Sequence, residues 1–161
     1  MQLADRHIIK LRSPRWAELD LLAFKSKNLY NLANYHIRQA FIKDAEFLNY
    51  SQMAGLLKAE DCYKDLPAKV SQQVLRKLET NWKAFLSATQ ADRSNPSKFL
   101  GRPKLPKYKD KDTGRNLLAS IQAISNPGLR LGWIKFSKTH IKVPVLHRNT
   151  CEVRIVPKLD H

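Results

Sequence analysis

The residues best equipped for chemistry lie between positions 98 and 115. Lys98, Arg102, Lys104, Lys107, Lys109, Lys111 and Arg115 are interleaved there with Pro103, Leu105, Pro106 and Tyr108. Two prolines three residues apart exclude a regular helix and hold the backbone extended. An extended cationic strand carrying an aromatic ring suits a phosphate backbone: the cations meet phosphates, and the ring stacks on a base or packs on ribose. The bland counterpart is a solvated, flexible basic loop. A second candidate is the pair Gln72 and Gln73. Glutamine can bond bidentately to the adenine edge in a major groove, whereas the ordinary reading of such a pair is the solvent face of an amphipathic helix.

Other chemistry is sparse. Cys62 and Cys151 are far apart, no CxxC occurs, and His7, His36, His140, His147 and His161 form no ligand pair at helical or finger spacing. A zinc site needs about four ligands, usually in close pairs. There is no Walker loop, dinucleotide-binding glycine pattern, GxSxG or HExxH. The expectation is therefore no catalytic residue, no metal and no cofactor in this chain.

Charge names the partner class. Across 161 residues, 29 Lys and Arg face 14 Asp and Glu, a formal net charge of +15. Such an excess is most effectively offset by a polyanion, through release of its condensed counterions. The excess is uneven: residues 1–94 carry 15 basic and 10 acidic side chains, residues 95–161 carry 14 and 4. The C-terminal part is the expected electrostatic grip. A hydrophobic fraction of 43% is normal for a folded domain, and the length fits one domain or two small lobes. Neither a signal-peptide core nor a run approaching the ~20 apolar residues of a membrane span is visible, so a cytoplasmic, reducing location is expected.

The elements that must position these residues can be read from periodicity. His7–Arg12 is short, apolar and basic and predicts a strand, stopped by Ser13-Pro14, with Ser13 as cap and Pro14 in the first turn of a helix. From Arg15 to about Phe47 apolar residues recur at helical steps, notably Leu29, Leu32, Ala33, Ile37 and Phe41, with His36 at the core edge. A shorter helix is predicted over Ser51–Ala59. Asp65-Leu66-Pro67 reads as a cap and first turn, opening a helix to about Thr89 with Val74, Leu78, Trp82 and Phe85 on its buried stripe. Trp16 and Trp133 are assigned to packing. These stripes face one another most simply as a small bundle. After the basic segment, Leu117–Ile124, Leu129–Phe136, His140–Val145 and Cys151–Val156 read as strands, with turns at Asn126-Pro127-Gly128, Ser137-Lys138 and Arg148-Asn149. The abrupt stop after the last run points to a truncated or split protein.

Three blocks, in this order, resemble the TnpB (OrfB) family of insertion-sequence proteins, related to type V CRISPR nucleases. They are Lys27-Asn28-Leu29-Tyr30-Asn31-Leu32-Ala33, then Tyr63-Lys64-Asp65-Leu66-Pro67 through Gln72-Gln73-Val74-Leu75-Arg76-Lys77-Leu78 to Trp82-Lys83-Ala84-Phe85, and Gly101-Arg102-Pro103-Lys104-Leu105-Pro106-Lys107-Tyr108-Lys109. The likeness runs along nearly the whole chain but covers only the front of the family's sequence. It implies an α+β fold, with a small helical recognition lobe at 14–95 inserted in a β-rich, barrel-like wedge domain made of 1–13 and 96–161, that wedge left incomplete. It implies guide RNA and target DNA as partners, and contact with a short transposon-adjacent DNA motif through Tyr50, Lys69, Gln72, Gln73 and Arg76. The family's RuvC-like nuclease, which would bring Mg2+ and structural Zn2+, would lie beyond this sequence, in a longer parent or another chain. Two-metal cleavage needs bridging carboxylates, and the late acids Glu152 and Asp160 sit in no such context, so this chain alone is not expected to cut DNA. A prokaryotic, nucleoid-associated location follows from the same likeness.

Two other readings stand beside it. One is a DNA-binding regulator or transposition accessory that uses no RNA, with Lys69–Lys77 as the recognition helix of a helix-turn-helix variant. The other is a transposon remnant or fragment without a selected function.

Overall fold

The computed structural model describes residues 3–123, 126–136, 139–147 and 150–158. The chain opens with strand β1 (Leu3–Lys10), followed by helices α1 (Trp16–Asp44), α2 (Tyr50–Leu57), α3 (Asp61–Lys64) and α4 (Ala68–Ser94). After an extended stretch come β2 (Leu117–Ser120), α5 (Asn126–Arg130), β3 (Trp133–Lys135), β4 (Lys142–Pro144) and β5 (Thr150–Lys158). The class is α+β.

Two small sheets form. In one, β5 is central, pairing parallel with β1 (His7 opposite Ile155) and antiparallel with β2 (Ala119 opposite Val153). The chain thus leaves this sheet after β1, runs through α1–α4, and returns at β2. β5 is no free edge: it joins the first strand, β1, to the second, β2. The other sheet is the antiparallel pair β3–β4, with Ile134 opposite Val143. Inward residues alternate along β5, where Val153 and Ile155 are fully buried.

One hydrophobic cluster runs through both helices and strands, from Leu19, Leu29 and Ile37 of α1 through Val74, Leu78 and Trp82 of α4 to Leu117 and Val153. Trp82 is its hub, stacked edge-on by Phe41 and Phe85 at centroid distances of 5.4 and 5.8 Å. Such pairs prefer this T-shaped geometry. Polar groups inside the fold are mostly partnered. The buried Asp5 of β1 accepts from the Leu146 amide at 2.7 Å and the Thr150 hydroxyl at 2.7 Å, tying β1 to the strands that follow. Burial holds the nearby His7 below its usual pKa although Asp5 pulls the other way.

Several boundaries differ from expectation for identifiable reasons. Pairing with β5 extends the first strand back to Leu3, and it stops at Lys10, where the Ser13 amide folds back on the Lys10 carbonyl. Ser13 does not cap α1. The helix starts after Arg15 without a side-chain cap, and the Ser13 hydroxyl only accepts from the Arg15 amide at 3.4 Å. α1 ends before Phe47 because Ala45 turns left-handed (φ 53°), its amide returning to Phe41; a non-glycine residue there costs about 1 kcal/mol. Asp65 closes α3 and pairs with Lys25 at 3.4 Å, so it does not cap α4, which runs on to Ser94 until Asn95-Pro96 stops it. α2 starts with a capping box, Asn49 accepting from the Gln52 amide at 3.1 Å while Gln52 accepts from that of Asn49 at 2.9 Å. Asn126-Pro127-Gly128 forms the first turn of α5, not a β-turn, so the expected strand from Leu129 begins only at Trp133. The run from Leu117 bends into a 3-10 turn at Ile121–Ala123. Trp133 is 42% exposed and does not belong to the packed core. The turns expected at Ser137-Lys138 and Arg148-Asn149 lie outside the described residues.

Candidate nucleic-acid interface

The basic segment is irregular in backbone but not loose. Its two prolines deny it helical bonds, so its peptide groups need other partners, and α1 supplies them. Asn31 bonds both peptide groups of Lys109, donating to its carbonyl at 3.0 Å and accepting from its amide at 2.8 Å. One turn along, the fully buried Asn34 donates to the Pro106 carbonyl at 3.0 Å and accepts from the Trp82 indole at 2.9 Å. The segment therefore rests against α1, and through Trp82 against the α1–α4 core. Leu105 packs half-buried on that core.

A tight turn ends the extended run. One Asp110 carboxylate oxygen accepts from the Thr113 amide at 2.9 Å, the Asp112 amide at 2.9 Å and the Thr113 hydroxyl at 3.0 Å. Those bonds hold its pKa below the usual carboxylate range, the Thr113 amide acting most strongly. A side chain at Gly114 would put its Cβ 2.5 Å from the Asp110 carbonyl oxygen, so the turn requires glycine there.

This anchoring sorts the predicted cations into two sets. Lys98, Arg102, Lys104, Lys107 and Lys111 are exposed, and none has an acidic partner among the described residues. Tyr108 is 43% exposed with the Arg38 guanidinium 4.8 Å from its ring centre. Lys109 and Arg115 instead turn into the protein. The Lys109 ammonium donates to Asn116 at 2.8 Å and lies 4.7 Å from the Tyr30 ring centre. Burial first, then the like charges of Arg154 and Lys77, push its pKa down to about 8. Arg115 is ion-paired with Asp20 of α1 at 2.6 Å and lies 4.9 Å from the Phe24 ring centre. Both side chains turn inward, and neither faces solvent freely.

The second candidate group is brought together by helical geometry. Lys69, Gln72, Gln73 and Arg76 fall at three- and four-residue steps of α4, opposite the buried stripe of Val70, Val74, Leu78 and Trp82. Lys69 and Arg76 are exposed; Gln72 and Gln73 are half-buried. Tyr50, at the first position of α2, joins them: the Arg76 guanidinium lies 4.4 Å from its ring centre, and Glu79 accepts from its amide at 2.9 Å. Five residues from two helices thus make one polar, cationic patch with an aromatic floor.

The sequence reading does not single out Asn31 and Asn34 as supports; of the two, Asn34 carries a visible signal, because it lies on the buried face of α1 and a polar residue there needs a partner. Arg38 is a further unforeseen neighbour; its Nε is buried with no hydrogen-bond partner among the described residues. Among the described residues no three His, Cys, Asp or Glu side chains converge to hold a metal ion, and no helix is long and apolar enough to cross a membrane.

No family model matches the chain, and no curated protein matches it either.

Proposed function

We propose that the chain is the nucleic-acid-binding portion of a transposon-encoded, RNA-guided DNA endonuclease of the TnpB type. It holds guide RNA and touches the adjacent DNA motif and the RNA–DNA heteroduplex, and does not cleave by itself. In this reading residues 14–95 are a helical recognition lobe inserted in a barrel-like wedge formed by 1–13 and 96–161. The observation that carries it is the pinned basic segment. Arg102, Lys104 and Lys107 are exposed cations without an acidic partner among the described residues, on a backbone that Asn31 and Asn34 hold in place, so the ordering cost of binding a polyanion is already met within the fold. The α4 patch, with Gln72 and Gln73 beside Tyr50 and Arg76, supplies groups able to read base edges. Sequence would then be read mostly by RNA–DNA pairing, and by the protein only at a short flanking motif.

Electrophoretic shifts with the structured RNA from the end of the encoding element test this. Tight binding to that RNA, well above binding to a scrambled RNA of equal length, is the expected outcome; equal affinity for both rejects it. The α4 patch equally suits a regulator that reads duplex DNA without RNA. A dimer that binds a palindrome in RNA-free preparations selects that alternative.

A further inference from the structure

Two clefts lie along the seam between the C-terminal half of α4 and the pinned segment. The first, about 540 Å³, is lined by Phe85, Phe99, Arg93 and Arg102, with Thr89 and Asp92. The second, about 410 Å³, is lined by Tyr30, Asn81, Ala88, Lys104 and Lys107. Phe85 and Pro103 line both, so the two are neighbouring stations on one seam. Both open broadly to solvent, the second more than the first.

Their chemistry matches one class of ligand. The half-buried rings of Phe85 and Phe99, with the prolines, offer flat apolar surfaces. Four cations surround them, and Asp92 is the one acid in the two linings. None of the four cations is ion-paired among the described residues. Base-edge partners are also present: Asn81 spends an amide hydrogen on the Tyr30 hydroxyl at 3.1 Å, which leaves its carbonyl oxygen to accept, and the Asp92 carboxylate can accept as well. A planar, hydrogen-bonding ring joined to an anion is a nucleotide, and two in succession are a strand.

We propose that this seam binds single-stranded nucleic acid, taking two consecutive unpaired bases, one per cleft, with the phosphate between them and the two flanking phosphates on Arg93, Arg102, Lys104 and Lys107. The proposal rests on the nucleic-acid-binding reading above and adds strandedness to it. Bases stacked within a duplex cannot enter such clefts, whereas every unpaired base has a face to stack.

The test is fluorescence anisotropy on the full chain with three labelled probes: a short single-stranded RNA, the same sequence as single-stranded DNA, and the DNA duplex. Loss of one stacked base lowers affinity by about tenfold. Phe99→Ala and Phe99→Leu should both weaken single-strand binding by that order, Phe99→Trp should restore it, and duplex binding should stay at the parent level. Leucine keeps the apolar volume of Phe99 without its π face, so it separates stacking from packing. Ala88→Phe, which fills the second cleft without removing a contact, should cause the same selective loss. Equal effects on the RNA and DNA strands, or a larger effect on RNA through its 2′-hydroxyl, both support the seam. Single-strand binding that Phe99→Leu and Ala88→Phe leave intact, or equal losses on single strand and duplex, overturns it while leaving nucleic-acid binding in place. A parent protein that binds none of the three probes overturns both readings together.

Discussion

The two basic surfaces differ in what holds their shape. The α4 patch of Lys69, Gln72, Gln73 and Arg76 inherits its geometry from a 27-residue helix whose backbone satisfies itself. The 101–116 segment has no such internal ladder and borrows its conformation from Asn31 and Asn34, residues more than seventy positions away. On a helix, a functional side chain can be exchanged with little consequence for its neighbours. On a borrowed backbone, the supports matter as much as the cations, and cations differ according to which way they turn.

The largest effect that separates the surfaces is electrostatic. Replacing Arg102, Lys104 and Lys107 together with Ala removes three unpaired charges from the segment. Each phosphate contact contributes about 0.7–0.9 to the slope of log affinity against log salt, so three are worth roughly two decades of affinity between about 1 M and 0.1 M salt. Titrations of RNA and DNA binding across salt should show the slope flattened by about 2.1–2.7. Exposed substitutions cost up to about 0.5 kcal/mol each, so the urea midpoint should move little. An unchanged slope would reduce the segment to a solvated linker.

Next comes the support itself. Asn34→Ala leaves the Trp82 indole N–H and the Pro106 carbonyl without partners, both in part-buried or buried surroundings. Each orphaned group costs about 1–3 kcal/mol, so a loss of roughly 2–6 kcal/mol is expected in urea denaturation. Asn31→Ala, which frees only the Lys109 peptide groups, should cost less and should selectively speed hydrogen exchange at the Lys109 amide. If Asn34→Ala destabilises no more than an exposed substitution, the segment is not borrowing its shape from α1.

How far these differences could be read from sequence follows from their range. The α4 stripe of Val74, Leu78 and Trp82 and the alternation in β5 are local patterns, and both stand in the structure. The parallel pairing of β1 with β5 joins residues some 150 positions apart, and no local pattern encodes that register. Asn126-Pro127-Gly128 illustrates a real ambiguity: the same residues serve a turn or the first turn of a helix, where proline needs no amide partner. The capping box at Asn49–Gln52 is a local pattern too, an Asn followed three residues later by a Gln. Within the candidate interface, composition could find the basic segment but not the direction of each side chain. Lys107 and Lys109 look alike in sequence; one is exposed, the other tucked beneath α1.

A smaller effect sharpens the helical side of the comparison. Gln72→Ala removes a possible base-edge partner but no charge. Under the proposed function it should lower discrimination for the preferred DNA motif by about 1–3 kcal/mol. The salt slope and RNA affinity should stay at parent values, because no phosphate contact is lost. Competition binding with motif-bearing and motif-scrambled duplexes measures this. A flattened slope instead would mean that the α4 patch meets the backbone and reads no base.

The smallest effect concerns Lys109 and depends on sign. Its pKa is pushed down to about 8 in the folded protein, chiefly by burial and then by Arg154 and Lys77, against roughly 10.4 when unfolded. Below pH 8 both states carry the proton, and the full cost of burying a charged ammonium weighs on the fold. Between about 8 and 10.4 the unfolded chain binds more protons than the folded one, so this residue's contribution to stability rises with pH. Lys109→Met keeps the length and apolar stem and removes the charge. At pH 7 the variant should be as stable as the parent or more so, by about 1 kcal/mol once partial solvent screening is allowed for. That advantage should shrink towards pH 10 as the parent's Lys109 loses its proton. Comparing the two proteins at each pH cancels the other titrating groups, and urea midpoints at pH 7 and pH 10 suffice. The same variant should leave the salt slope of nucleic-acid binding unchanged, in contrast to the Arg102, Lys104 and Lys107 triple. If Lys109→Met flattens that slope as much as any one of those three, Lys109 reaches the phosphates after all, and the division of this segment into outward and inward cations fails.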